Sequence, residues 1–153
     1  MPTSGPPSRL VVDANPILAA LLGGRARRVF FETPIREFAV PEVVLSEVRE
    51  HIPRLATKLG TMPALLEYAL DLLPLRPYPA RSYRATMLEA TRRIGSRDPD
   101  DVDVLALALQ LRAPPWSNDR DFDRTGVEQM TTADVLKAFF GPSPDRGSHA
   151  PRE

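Results

Sequence analysis

Residues 9–16 read Arg-Leu-Val-Val-Asp-Ala-Asn-Pro, and this stretch decides the fold. Its branched apolar run, Leu10-Val11-Val12, is typical of a buried strand. Pro16 suits the first position of a helix, and Asn15 is predicted to be the N-cap residue of that helix. A strand that passes directly into a helix indicates an alternating α/β chain, with Asp13 at the junction of the two elements.

The rest of the chain repeats this alternation of short and long apolar segments. Short strands between helices predict a parallel sheet covered on both faces, and the most hydrophobic strand, residues 9–13, is expected at its centre. We therefore predict an α/β fold, a three-layer α/β/α sandwich with a short, mostly parallel central sheet. The other predicted strands are residues 37–40, 73–76, 115–118 and 128–131, and the predicted helices are residues 17–22, 25–31, 41–59, 63–73, 80–94, 99–112 and 133–140.

Length and composition are those of one globular domain, since the chain has 153 residues and 42% of them are hydrophobic. The absence of cysteine excludes disulfides, thiolate zinc sites and cysteine nucleophiles, and it suits a cytoplasmic location. Residues 9–140 form the predicted domain, whereas residues 1–8 and 141–153, rich in Pro, Gly and Ser, are predicted to be disordered tails. The start lacks the pattern of a signal peptide, and the longest apolar run, residues 104–109, is too short to span a membrane.

The formal charge is zero, with 20 basic and 20 acidic side chains, so bulk charge does not indicate a nucleic-acid binder. The charges are nevertheless segregated, because residues 76–97 hold six Arg against Glu89 alone and residues 98–103 hold four Asp. A basic segment beside an acidic one is what a metal site that handles a polyanion needs. The base composition of an Arg-, Ala- and Pro-rich genome produces the same pattern, and the sequence leaves both interpretations open.

Four acidic residues lie where a strand ends or a helix begins: Asp13, Glu47, Asp101 and Asp119. In alternating α/β chains the carboxyl ends of the strands meet at one edge of the sheet, where ligands bind. Carboxylates that meet there repel one another unless a cation lies between them, and Mg²⁺ and Mn²⁺ prefer such oxygen ligands. The sequence therefore predicts a site for one or two divalent ions, suited to activating a water and stabilising the leaving oxygen of a phosphodiester.

Asp13 and Glu47 also have purely structural interpretations. Asp is common between a strand and a helix, but Asn15 is predicted to fill the capping role, which leaves Asp13 for function. Glu47 lies on the shoulder of the apolar stripe of its helix and could instead pair with His51 one turn further on.

The acidic run at residues 98–103 has the strongest structural alternative. Asp98 as an N-cap, followed by Pro99 and acids in the first turn, is favoured by the helix dipole. Asp101 shares a face with apolar positions further along the helix and is expected to point inward, whereas Asp103 is expected in solvent.

Residues 117–119 lie at the end of another predicted strand, residues 115–118. They suit either a simple turn or a set of supporting hydrogen bonds with a further metal ligand. Trp116 is expected to pack in the sheet rather than to stack on a base, and Phe122 is expected to anchor the loop in the core.

Other catalytic arrangements find little support, since the chain has two His and neither a phosphate-binding Gly loop nor a Ser/His/Asp arrangement. A phosphatase or receiver domain with Asp13 as nucleophile is a second hypothesis. That hypothesis requires another Asp two residues on, where Asn15 stands, and a late Lys, whereas Lys137 lies in the last predicted helix.

Four stretches in order resemble a PIN domain, the compact α/β metal-dependent nuclease fold, and the resemblance covers residues 9–140. The subgroup most similar to this chain comprises toxins of toxin–antitoxin pairs, related to VapC-like ribonucleases. The matching stretches are Leu10 to Asn15, Val40 to Val48, Asp100 to Leu109 and Pro115 to Phe122.

The resemblance implies a Mg²⁺- or Mn²⁺-dependent endoribonuclease that is often a homodimer and, as a toxin, is inhibited by a cognate antitoxin. RNA is then the substrate, and the Arg residues of segment 81–97 would steer its backbone. The alternative is a weakly active domain that serves as an RNA- or protein-binding module. The implied metal ligands and catalytic residues are Asp13, Glu47, Asp101 and Asp119, with Asp100 as a neighbour that could exchange roles with Asp101, and Asn15 and Ser117 as supporting residues.

Overall fold

The structure is a computed structural model that describes residues 5–94, 99–119, 122 and 125–141. A 3₁₀ helix, Ala80–Thr86, separates the third strand from the fifth α-helix. The strands are β1 (Arg9–Val12), β2 (Glu37–Pro41), β3 (Leu75–Tyr78) and β4 (Pro115–Trp116), and the helices are α1 (Ala14–Leu21), α2 (Ala26–Glu32), α3 (Glu42–Leu59), α4 (Pro63–Leu72), α5 (Met87–Ile94), α6 (Pro99–Leu111) and α7 (Thr132–Phe140).

The four strands form one sheet in the order β3-β2-β1-β4, and every neighbouring pair is parallel. Leu10 lies opposite Phe38 of β2, and Val11 lies opposite Pro115 of β4. The predicted α/β class with a parallel sheet is confirmed, as is the interior position of the first strand.

Both faces of the sheet are covered. The side chains of Leu10, Val11 and Val12 point to alternate faces, and all three are fully buried. Helix α6 packs against β1, β2 and β4, and each of its residues from Val104 to Ala108 is buried. An apolar character on all sides is what a central helix requires, and the sequence pattern predicted it correctly.

An aromatic cluster joins α2 to the sheet. The ring centroids of Phe30 and Phe38 are 4.8 Å apart, and those of Phe30 and Trp116 are 4.9 Å apart. Trp116 is fully buried and donates from Nε1 to Thr132 Oγ1 at 3.0 Å. The prediction that Trp116 packs in the sheet is confirmed, and Phe122 is also buried as predicted.

An ion-pair network centred on Glu37, the first residue of β2, joins three strands. Glu37 accepts from Arg9 Nε at 2.7 Å and from the Tyr78 hydroxyl, and it pairs with Arg76 at 3.4 Å. Burial raises the pKa of Tyr78, and its hydrogen bond to Glu37 raises that pKa further. These contacts to the single Glu37 carboxylate tie β1, β2 and β3 together.

Two predicted elements have a different character in the structure, whereas the third and fourth strands differ only in their bounds. The expected strand over residues 128–131 is only an isolated bridge between Met130 and Trp116, because Thr131 already caps α7 through a capping box with Asp134. The helix expected over residues 80–94 is divided, since Tyr83 has a non-helical backbone (φ −125°, ψ 22°) and its ring is buried in the core.

The predicted tails are described only in part. Residues 1–4 and 142–153, and the predicted N-cap Asp98, lie outside the described residues. Ser8 is described, and its carbonyl accepts from the Arg36 amide at 2.9 Å. None of the described helices combines the length and the apolar character that a membrane crossing requires.

A buried tyrosine fixes the beginning of α6. Tyr83 is 1% exposed and donates its hydroxyl to Asp103 Oδ2 at 2.7 Å, so the prediction that Asp103 points only into solvent is wrong. Burial is the main cause that raises the pKa of Tyr83. The hydrogen bond to Asp103 and the negative charges of Asp103 and Glu42 raise that pKa further. The hydroxyl of Thr86 adds a second tie, to the carbonyl of Ala106 at 2.6 Å.

We expect Tyr83→Phe to lower the free energy of unfolding by about 1 kcal/mol, because it removes a hydrogen bond to a carboxylate that is partly screened by solvent. Urea unfolding at neutral pH measures the loss. Asp103→Asn is the matched control, since its amide oxygen can still accept from Tyr83 and its loss should be smaller. Equal stability of Tyr83→Phe and the wild type would contradict this account of how α6 is held.

Candidate functional site

The parallel sheet brings the ends of β1 and β4 together. The Asp13 amide donates to the Trp116 carbonyl at 3.0 Å, so the residues that follow the two strands become neighbours although about a hundred positions separate them. Helix α3 starts where β2 ends, and α6 runs toward the start of β4. The first turns of both helices therefore lie at the same carboxyl edge of the sheet.

Asp13 is 8% exposed and uses both of its carboxylate oxygens. Oδ1 accepts from the Ala14 amide at 2.8 Å, and Oδ2 accepts from the Ser117 hydroxyl at 2.8 Å. Asp13 is the N-cap of α1, so the prediction that Asn15 fills that role is wrong. The helix begins at Ala14, two residues before the predicted first position Pro16, because Asp13 keeps an extended backbone and bonds the first helical amide.

Ser117 is fully buried and stands between two carboxylates. Its Oγ lies 2.8 Å from Asp13 Oδ2 and 3.2 Å from Asp119 Oδ1. A hydroxyl has one proton, so it can donate to only one of these acids at a time. The structure thus brings Asp13 and Asp119 together around a single hydroxyl.

Asn15 bonds the turn formed by residues 117–119 from the opposite side. Its Nδ2 donates to Asp119 Oδ2 at 2.9 Å and approaches Ser117 Oγ at 3.5 Å, and its Oδ1 accepts from the Asn118 amide at 3.1 Å. Both ends of one amide are therefore used, which fixes its orientation. An aspartate at this position could not donate to Asp119.

The segment 129–132 lies beneath the same turn, and sequence reasoning did not single out its first residue. Gln129 Nε2 donates to the Ser117 carbonyl at 3.0 Å and also to the Asp119 carbonyl. The Thr132 amide donates to Asn118 Oδ1 at 2.8 Å. A single Gln outside any predicted motif gives no signal of such a contact in the sequence.

Glu47 and Asp101 approach the same edge from helices. Glu47 is half-buried in α3. Its backbone carbonyl bonds His51 Nδ1 at 2.9 Å, so this contact between the two residues involves the main chain of Glu47. Asp101, in the first turn of α6, is 5% exposed. Asp100 also belongs to α6, but its side chain lies outside the part of the chain that the structure describes.

The donor chemistry of the four acids suits a hard divalent cation, since all of them offer carboxylate oxygens and Asp13 and Asp101 are buried. Within the described ranges, however, no three Asp, Glu or His side chains converge closely enough to hold one ion. Asp13 and Asp119 form a hydrogen-bonded pair around Ser117, and Glu47 and Asp101 are not gathered into that pair. A single ion bound by all of them would require side-chain movement toward it.

The arginines of segment 81–97 are divided between paired and exposed positions. Arg93 and Arg92 donate to Glu89 at 2.8 Å and 3.0 Å. Both contacts lower the pKa of Glu89, and the hydrogen bond from Arg93 has the larger effect. Arg81 and Arg84 are exposed, and neither forms an ion pair with another described residue. Both are therefore available to meet an anion.

Comparison with known proteins identifies the fold and the family. A family model described as the PIN domain matches residues 11–139. The structure is similar to a chain of the VapBC2 complex from Rickettsia felis bound to a DNA fragment from its promoter, with 13% identity, 80% of this chain and 96% of that chain covered, and a TM-score of 0.56. It is also similar to a chain of a toxin–antitoxin complex from Klebsiella pneumoniae, with 19% identity, coverages of 74% and 89%, and a TM-score of 0.54. No curated protein matches the sequence.

We expect Asn15→Asp to lower the free energy of unfolding by about 1–2 kcal/mol at pH 7 in EDTA, because it places a third carboxylate against Asp13 and Asp119. Crowded carboxylates bind protons more tightly in the folded state than in the unfolded chain. The loss should therefore shrink as the pH falls toward about 4. Urea unfolding at both pH values measures it, and Asn15→Ala is the control that removes the amide without adding charge. Equal losses for Asn15→Asp at both pH values would contradict the electrostatic account.

Proposed function

This chain belongs to the PIN domain family, and from that premise we propose that it is a nuclease, a divalent-metal-dependent endoribonuclease that acts as the toxin of a type II toxin–antitoxin pair. PIN domains are nucleases, which supports hydrolysis of phosphodiester bonds. The two structural relatives come from toxin–antitoxin complexes, which supports a toxin role. The cysteine-free composition suits a cytoplasmic location.

The observation that carries the proposal is the hydrogen-bonded set of Asp13, Asn15, Ser117 and Asp119 at the carboxyl edge of the sheet. Two carboxylates share one buried hydroxyl, at 2.8 Å and 3.2 Å, at the edge where α/β proteins bind their ligands. Two neighbouring carboxylates at the end of a buried strand repel one another, and a cation bound at this edge would offset that repulsion.

Asp13, Glu47 and Asp101 would hold a Mg²⁺ or Mn²⁺ ion, with Asp119 as the fourth acid. Such an ion, when bound, lowers the pKa of a water and offsets negative charge on the phosphodiester. Ser117 and Asn15 orient the carboxylates of Asp13 and Asp119, so those two acids present fixed oxygens.

RNA is the proposed substrate, and its backbone would meet the exposed guanidinium groups of Arg81 and Arg84. These side chains lie on the 3₁₀ helix that precedes α5, and Tyr83 of the same helix is bonded to Asp103 at the start of α6. Arginine suits a phosphate because its planar group can donate two parallel hydrogen bonds.

A protein partner is supported by an apolar stripe on α4. Leu65, Tyr68 and Leu72 are 58%, 64% and 57% exposed, and their spacing places them on one face of the helix. Met62, just before the helix, extends the stripe. Contiguous exposed apolar side chains indicate a protein contact, and we assign this face to a homodimer, with a cognate antitoxin as the further partner.

A second candidate function is an RNA- or protein-binding PIN domain with slight activity. The lack of any group of three Asp, Glu or His side chains able to hold one ion, among the described residues, favours it. Mn²⁺ binding without cleavage of any RNA would identify this second function.

We expect Glu47→Gln and Asp13→Asn each to lower the rate of RNA cleavage in Mn²⁺ by at least about a hundredfold, because each removes a ligand charge. Cleavage of a pool of structured RNAs, with EDTA as a further arm, measures the effect. Glu50→Gln is the matched control, because Glu50 is exposed on the same helix as Glu47 and should retain the wild-type rate. Unchanged cleavage by Asp13→Asn would contradict the assignment of the site.

We expect Leu65→Glu with Tyr68→Glu to convert a dimer into monomers, because two charges on the α4 stripe would have to be buried without partners. Analytical ultracentrifugation over a range of concentrations measures the mass. Leu88→Glu is the control, since Leu88 is 67% exposed on α5 and lies outside the stripe. A dimer that survives both substitutions would place the interface elsewhere.

A further inference from the structure

We propose that Gln129 is a positioning residue: its side-chain amide fixes the turn of residues 117–119 and thereby sets the affinity of the site for a divalent ion. The inference rests on the proposed function of the site as a metal-dependent nuclease centre. Gln129 would touch neither the ion nor the RNA. It acts through Ser117 and Asp119.

One nitrogen of Gln129 spans the turn. Nε2 donates to the Ser117 carbonyl at 3.0 Å and to the Asp119 carbonyl, which are two residues apart. An amide nitrogen carries two hydrogens, so both bonds can form at once. The side chains of the same two residues bond Asp13 and Asn15 at 2.8 Å and 2.9 Å. Gln129 therefore holds the main chain of the residues whose side chains build the site.

The backbone beside Gln129 is itself fixed to β4. The Met130 amide donates to the Pro115 carbonyl at 2.9 Å, and the Ser117 amide donates to the Met130 carbonyl at 3.0 Å. These bonds fix the main chain next to Gln129 and so limit the positions that its side chain can take beneath the turn. Such a side chain can transmit a defined position rather than merely fill space.

The oxygen of the same side-chain amide lies in an environment that does not stabilise the fold. Among the described residues, Gln129 Oε1 is buried and has no hydrogen-bond partner. An oxygen buried in that way is unfavourable, and an apolar side chain would avoid it. Rotating the amide would place Oε1 against two carbonyl oxygens. The observed orientation thus keeps both hydrogen bonds from Nε2 to the turn and leaves Oε1 without a hydrogen bond within the described part of the chain.

The measurement is Mn²⁺ affinity by isothermal titration calorimetry, in the full chain and without RNA. We expect Gln129→Met to weaken binding about tenfold, as loss of a residue that orients metal ligands typically does. Gln129→Glu should weaken binding at least as much, since a carboxylate offers no donors to the two carbonyls. Cleavage by either variant should recover as Mn²⁺ is raised to saturation, with the KM for RNA unchanged.

Thermal unfolding in EDTA separates positioning from a structural role. Gln129→Met removes the buried oxygen together with the donors, so its melting temperature should fall no further than that of Thr33→Val. The Thr33 control loses a bond of the same kind, from its hydroxyl to the Val29 carbonyl at 2.7 Å, at the far end of α2. A large drop in melting temperature with wild-type Mn²⁺ affinity would show a structural role and overturn the inference.

The outcomes also separate this inference from the proposed function. Wild-type protein that binds Mn²⁺, together with Gln129→Met that binds it equally well, overturns the role of Gln129 alone. Folded wild-type protein that binds no Mn²⁺ overturns the metal dependence of the proposed function and the positioning role with it.

Discussion

The parallel pairing of β1 with β4 is the constraint on which the site depends. The hydrogen bond from the Asp13 amide to the Trp116 carbonyl, at 3.0 Å, ends the pairing and places the next residues of both strands side by side. Burial of β1 on both faces makes a shift in register costly, because a shift by one residue would carry Arg9 or Asp13 into the place of a fully buried apolar side chain. The relative position of Asp13 and Ser117 is therefore as rigid as the core itself.

Asp13 has an observed structural role beside the metal-binding role that we propose for it, and the two together account for its position. One oxygen caps α1 at 2.8 Å from the Ala14 amide, while the other faces Ser117. The cap places the negative charge at the start of a helix, where the helix dipole favours it. A carboxylate that would be costly at the end of a buried strand is thus partly stabilised before any ion binds, and its orientation is fixed.

The sequence predicts the parts of this protein that depend on local pattern. The buried strand at Leu10–Val12, the long helix that begins after Pro41 and the apolar α6 follow from periodicity and turn residues. The sequence predicts Asn15 as the N-cap of α1 because Pro16 follows it, but Asn and Asp cap helices about equally well, and the backbone at Asp13 decides between them. The contacts of Gln129 depend on how the segment before α7 returns to β4, which no local pattern encodes.

The proposed site takes two of its acids from a hydrogen-bonded pair and two from helices. Asp13 and Asp119 are bonded to Ser117 and Asn15, and the turn that carries Asp119 is bonded to Gln129. Glu47 and Asp101 come from two separate helices, and Glu has a longer side chain with more rotatable bonds. Carboxylates repel one another at short range, so holding all four together without a cation would destabilise the fold. In the proposed centre, one preorganised pair and two acids from neighbouring helices would lower that repulsion in the absence of an ion.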